Sequence, residues 1–277
     1  MRAAAGQDRR ERLAGLRSRI ASIEKRPLLA DAVALPAQPG GQAALAAPAG
    51  LLQEIYADSQ RDGTAALGFA LGLARGLLTE ARPAILLLQL AHEARETGLP
   101  YGPGLASFGM APERVIVGQL AGLEELLWAV EEAIACRAVA AVIAEVLGAP
   151  RLLDFTASRR LSLRAASGGA SILLVRYGGE REASAAKLRW RIAPEPSAAP
   201  AFDDRAPGPA RWRAELEKGR LGPGLMEAGL SLSLDWTENG FEPLTRGIAG
   251  NAPRNDPRTA LPGAQPAALG DRLSEAG

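Results

Sequence analysis

Short, mostly apolar runs alternating with stretches of helical spacing constrain this 277-residue chain more than any other feature. Leu51–Tyr56, Ala84–Leu90, Arg114–Val117, Val139–Val146 and Ser171–Tyr177 have the length and the composition of strands covered on both faces. Between them lie helical patterns. Thr64–Leu78 is rich in alanine and leucine, and Asp154–Ala166 is a basic amphipathic stretch. Gly122–Ile134 places Leu123, Leu126, Leu127, Val130 and Ile134 on one side and Glu124, Glu125, Glu131 and Glu132 outside it. Strands alternating with helices of this length imply crossover connections. The expected class is α/β, with a mostly parallel central sheet flanked by helices.

The ends read differently. Residues 1–27 hold a basic amphipathic helix over 8–26. Its stripe is Leu13, Leu16, Ile20 and Ile23, and Arg9, Arg10, Arg12, Arg17, Arg19, Lys25 and Arg26 fill the other faces. A lone helix of that length is marginal in water, so the stripe needs a surface, either its own core or another protomer. Residues 28–49 form a Pro/Gly/Ala linker, and 50–195 form the core, closed by Leu188–Ile192. A second linker is expected over 196–209 and a small C-terminal β extension over 210–241, with strands at Ala210–Lys218 and Leu230–Trp236. Residues 242–277, poor in apolar side chains, read as a disordered tail.

Charge is divided along the chain. Residues 51–150 carry 6 basic and 12 acidic side chains, whereas 151–220 carry 14 and 8. The later, basic segment suits an acidic partner or nucleic acid, or is simply a solvated arginine-rich face. One cysteine, Cys136, excludes an internal disulfide and a multi-cysteine zinc site. It is expected as a small core residue. No run approaches the ~18 apolar residues of a membrane span, and the charged N-terminus lacks the apolar stretch of a signal peptide. A cytoplasmic protein is the expectation.

The segment Gly50–Thr64 has the strand–loop–helix setting of a phosphate-binding loop without its chemistry. Such a loop needs small residues whose N–H groups face the phosphates, a Lys on the β- and γ-phosphates, and a Ser or Thr on Mg²⁺. Here Ala57, Asp58, Asp62, Gly63 and Thr64 occupy it, Asp62-Gly63-Thr64 stands in place of Gly-Lys-Ser/Thr, and no Lys occurs between Lys25 and Lys187. An ordinary strand–turn–helix corner fits the segment as well. Glu145 ends the run Val142-Ile143-Ala144 where an Mg²⁺-binding acid would sit, and His92 and Glu93 follow the second strand. With one histidine, a two-histidine metal site is impossible, and no serine lies in a Gly-x-Ser-x-Gly elbow. Asp203-Asp204 sits in a Pro-rich linker and reads as solvated. No catalytic residue, metal or cofactor is expected.

Several segments carry a family resemblance. They are Leu-Pro-Tyr-Gly-Pro-Gly-Leu (99–105), Leu127-Trp128-Ala129-Val130-Glu131-Glu132-Ala133, Ala157-Ser158-Arg159-Arg160-Leu161, Trp190-Arg191-Ile192-Ala193-Pro194 and Arg211-Trp212-Arg213. Over roughly residues 50–240 the chain resembles the ImuA family, RecA-like proteins of damage-inducible mutagenesis. The resemblance implies a RecA-like core and an accessory role in error-prone translesion synthesis during the SOS response. The implied partners are a polymerase-like protein and an error-prone replicative polymerase subunit, with RecA, DNA or a second copy as further candidates. An active RecA- or KaiC-like DNA-dependent ATPase with an atypical loop is the alternative.

Trp128, on a helix, reads as core or interface packing. Trp190 lies between Arg189 and Arg191, and Trp212 between Arg211 and Arg213. On strands each Trp points one way and its arginines the other. These six residues are the candidate DNA or partner contacts. The competing reading is a pair of core tryptophans under solvated arginines.

Overall fold

The structure of the protein is a computed structural model that describes residues 45, 47–199, 203, 206–221 and 226–244. The N-terminal helix expected over 8–26, most of the 28–49 linker and the tail beyond Leu244 lie outside these residues.

Strand β1 (Leu52–Ala57) is buried at every position. A 3-10 turn (Gln60–Asp62) leads into helix α1 (Gly63–Arg75). Then follow β2 (Ala84–Leu90), α2 (Ala91–Thr97), α3 (Gly102–Ser107), β3 (Val115–Leu120), α4 (Leu123–Ala135), β4 (Val139–Leu147), α5 (Phe155–Gly168), β5 (Ser171–Tyr177) and β6 (Leu188–Pro194). Strands β7 (Arg211–Lys218), β8 (Arg220–Leu221), β9 (Met226–Glu227), β10 (Ser231–Thr237) and β11 (Gly240–Pro243) complete the described chain.

Nine strands form one sheet in the order β11-β10-β7-β6-β1-β5-β4-β2-β3. The six from β6 to β3 are mutually parallel, and β7, β10 and β11 extend the sheet by antiparallel pairing. The α/β class with a mostly parallel sheet is thus present. The β extension adds strands to the core sheet itself: Trp190 pairs with Leu216 and Ile192 with Ala214. Pairing there covers an edge of β6 that would otherwise offer unpaired N–H and C=O groups. The boundary expected at 242 falls inside β11, whose Glu242 pairs with Asp235, and the Leu244 N–H reaches the Ser233 carbonyl. Strand β3 also runs three residues past the expected Val117, because its ladder with β2 continues. Gly118 makes room there for Leu88, whose methyl would lie 2.8 Å from any added Cβ.

Apolar clusters cover both faces of the sheet. On one face α1 packs with Ile55, Leu87, Val175, Trp190, Trp212 and Phe241, and Leu45 and Ala47 of the linker join them. On the other, α4 and α5 cover Leu52, Val142, Ile172 and Leu174. The buried stripe of α4 is Leu126, Leu127, Val130, Ala133 and Ile134. Trp128 points away from it and is 64% exposed, so it is not a core residue. Cys136, just past the helix end, is also exposed rather than buried. Among the described residues no helix is long and apolar enough to cross a membrane.

Under α1 lies an aromatic cluster. The ring of Phe69 is 5.4 Å from Trp190 and 5.0 Å from Phe241, and Phe241 is 5.0 Å from Trp236. Gly72 allows the helix to approach these rings. A Cβ there would lie 2.6 Å from Cε2 of Phe241 and 2.8 Å from Cζ3 of Trp236. Two effects compete in Gly72→Ala: a helix-propensity gain of about 1 kcal/mol, and overpacking that costs about 1–3 kcal/mol. The rings are closely packed, so the variant should be net destabilised in chemical denaturation. Equal or greater stability would mean that the cluster yields freely.

Candidate functional site

Open parallel sheets present ligand sites at the carboxyl ends of their strands, and here the loop after β1 meets Tyr177 at the end of β5 and Arg191 of β6. The loop is held by its own acids. Asp58 pairs with Arg191 at 2.6 Å and with Arg181 at 2.5 Å. Burial pushes its carboxyl up, but the hydrogen bonds from Arg191 and Arg181 outweigh this and hold it below the usual range. Asp62 accepts a 2.9 Å hydrogen bond from the Ser59 hydroxyl. Gly63 opens α1 against the ring of Tyr177: an added Cβ would be 2.9 Å from two ring carbons. A side chain of β5 therefore packs on the first turn of the helix, in front of which a working loop holds phosphate.

Behind that ring is a buried polar group. The Tyr177 hydroxyl donates to Oε2 of Glu145, and Nε2 of Gln89 donates to Oε1 at 2.8 Å. Glu145 is only 3% exposed and lies two residues before the end of β4. Burial raises its carboxyl, the two hydrogen bonds oppose this, and the charge of Glu93 adds to the rise. Burial and the same carboxylate push the Tyr177 phenol far up, so it stays protonated. Glu93, in the first turn of α2, accepts from the Leu147 N–H at 3.3 Å. Burial raises it too, against the Leu147 hydrogen bond and His92. His92 is 3.9 Å from Glu93 and largely exposed. Among the described residues no group of three or more His, Cys, Asp or Glu side chains converges as a metal site would.

The candidate contact residues divide as alternation requires. Trp190 and Trp212 are buried, their ring N–H groups donating to Oε1 of Gln53 and to the Ala65 carbonyl. They are core residues, so any contact made by these segments falls to the arginines. Each arginine has a carboxylate. Arg189 meets Glu54 at 2.8 Å, Arg191 meets Asp58, Arg211 grips Asp235 with two hydrogen bonds, and Arg213 meets Glu195 at 2.7 Å. Arg191 and Arg213 keep about half or more of their surface open, whereas Arg189 and Arg211 are mostly covered.

Residues not singled out from the sequence hold this edge together. Tyr56 is ringed by Arg176, Arg181 and Arg189, with guanidinium carbons 4.8 to 5.4 Å from its ring centre. Arg176 is 2% exposed, donating to the Tyr56 hydroxyl and the Gly148 carbonyl. The available signal was a charged residue inside an apolar run, Glu54 in the first and Arg176 in the fifth.

Two outcomes follow. Arg189→Ala leaves the buried Glu54 without its ion-pair partner, keeping the Ser184 hydrogen bond, and should cost about 3–5 kcal/mol in denaturation. Arg213→Ala, at an exposed pair, should stay within about 0.5 kcal/mol. Comparable losses in both would refute this division. The second outcome concerns pH. A carboxyl raised above its unfolded value holds a proton that the unfolded chain releases. Its stabilisation is complete below the unfolded value and is lost as pH rises through the folded one. Glu145→Gln should therefore gain on the parent, in unfolding midpoint, as pH rises above the ordinary carboxyl range. A difference that is constant with pH would mean that Glu145 is ionised throughout.

No model of a known protein family matches the chain. A protein named ImuA, from two strains of Caulobacter vibrioides, is 37% identical to it over 179 residues. The match spans 60% of this chain and 69% of the relative. The chain belongs to the ImuA family.

Proposed function

We propose that this protein is a non-catalytic accessory factor of error-prone translesion synthesis in the SOS response, built on a RecA-like core. It acts in the cytoplasm through a polymerase-like protein and an error-prone replicative polymerase subunit. Family membership supports the setting in damage-inducible mutagenesis. A RecA-like core is supported by six parallel strands with β1 among them, by a loop from β1 into α1, and by Glu145 and Glu93 at one edge of the sheet.

The observation that carries the non-catalytic reading is the packing of Tyr177 on Gly63, with its hydroxyl on Glu145. The ring takes the place in front of α1, and the acid that would serve Mg²⁺ is engaged by Tyr177 and Gln89. Asp58 adds a carboxylate where a phosphate would approach. The loop also lacks the lysine that would neutralise one. What remains is a folded surface available to partners.

Calorimetric titration of the full chain with Mg-ATP should give no micromolar binding, and DNA should stimulate no hydrolysis. Saturable binding, with hydrolysis that disappears in Glu145→Gln, would replace this reading by the ATPase one. Capture of the polymerase-like product of a neighbouring gene tests the partnership. Arg191→Ala with Arg213→Ala tests whether the open arginines take part in it.

A further inference from the structure

The central sheet ends in two unlike edges. At one, β11 is four residues long and carries Glu242 and Pro243, features that keep a sheet edge from pairing with another chain. At the other, β3 runs for six residues, Val-Ile-Val-Gly-Gln-Leu, with no charge and no proline. Among the described residues it pairs with β2 alone, so the N–H and C=O groups of its outer side have no strand to meet. Its side chains are open as well, Ile116 being 56% and Val117 40% exposed. Gly118 and Leu120 lie toward the cluster under α4, and Val115 toward the cluster under α1. Alternation therefore places Ile116 on the first face and Val117 on the second. An uncharged edge of this length is a template for another strand, and its complement is a strand apolar on both faces.

The strand itself meets that description. With Gly118 on a two-fold axis, antiparallel pairing sets Ile116 of one copy opposite Leu120 of the other, and Val117 opposite Gln119. In the same register Arg114 comes opposite Gly122, which precedes α4 and the two acids of its first turn, Glu124 and Glu125. Arg114 is exposed and has no ion pair among the described residues. Glu124 is in the same condition, and Glu125 accepts from the Ala121 N–H at 2.8 Å. Charge is thus complementary at both ends of the ladder. A foreign strand would satisfy the backbone groups, but a second copy also supplies the matching charges. We propose that β3 pairs antiparallel with β3 of a second copy of this chain, about a two-fold axis at Gly118, and joins two nine-stranded sheets into one. Both copies use the same surface, so assembly closes at two and does not propagate into a filament.

Sedimentation of the full chain over a concentration series tests this. An interface built on one edge strand is small, so the dimer should form in the micromolar range. Ile116→Lys with Gln119→Lys should make the protein monomeric, because lysines on an edge oppose pairing. Arg114→Glu should weaken association several-fold, and Glu124→Arg added to it should recover most of the loss. This charge exchange touches no residue of β3, so it reads the register even where the lysine variant fails to fold. A parent that is monomeric at about 100 μM overturns the proposal, since that concentration lies well above the expected range. So does a dimer that survives both lysines, a parent that grows into longer assemblies, or a charge exchange that recovers nothing.

Discussion

The burial of β1 from end to end is the constraint on which the rest depends. Its neighbours β5 and β6 pair with it on either side, and apolar clusters close both faces. Any polar side chain on it must find a partner or forfeit the cost of leaving water. Gln53 does so with Trp190, Glu54 with Arg189 and Ser184, and Tyr56 with Arg176. These bonds tie β6 and the end of β5 to β1. They also set which face of β6 receives its tryptophan and which its arginines.

The same logic shapes the carboxyl edge. A site for nucleotide phosphates keeps space and positive potential in front of a helix start. Here the ring of Tyr177 packs on Gly63 at the first turn of α1, and Asp58 beside it is paired with Arg191 and Arg181. Glu145 accepts hydrogen bonds from a phenol and an amide. Burial raises that carboxyl against the two hydrogen bonds it accepts, and the group links the ends of β2, β4 and β5.

Charge that looks segregated along the chain is largely paired across the fold. Acids of the first half, Glu54, Asp58 and Glu131, meet bases of the second, Arg189, Arg191 and Arg181, and Arg160 and Arg164. The exposed pairs contribute little each, whereas the covered Glu54–Arg189 pair is costly to break. Much of the basic excess over 151–220 is thus spent inside the molecule. A nucleic-acid surface inferred from that excess alone would be too large.

By itself the sequence determined the periodic elements and their order. Strands β2 and β5 coincide with Ala84–Leu90 and Ser171–Tyr177, because continuous apolar runs of that length have few other ways to be buried. The alternation of arginine and tryptophan likewise predicted two-faced strands at β6 and β7. Which carboxylate meets which arginine was decided only by the tertiary structure. So were the ring of Tyr177 against Gly63, the antiparallel joining of β7, β10 and β11 to the core sheet, and the exposure of Trp128 and Cys136. These depend on which strands become neighbours and which helix face meets them. Contacts between residues more than a hundred positions apart, such as Glu54 with Arg189, leave no periodic trace in the chain.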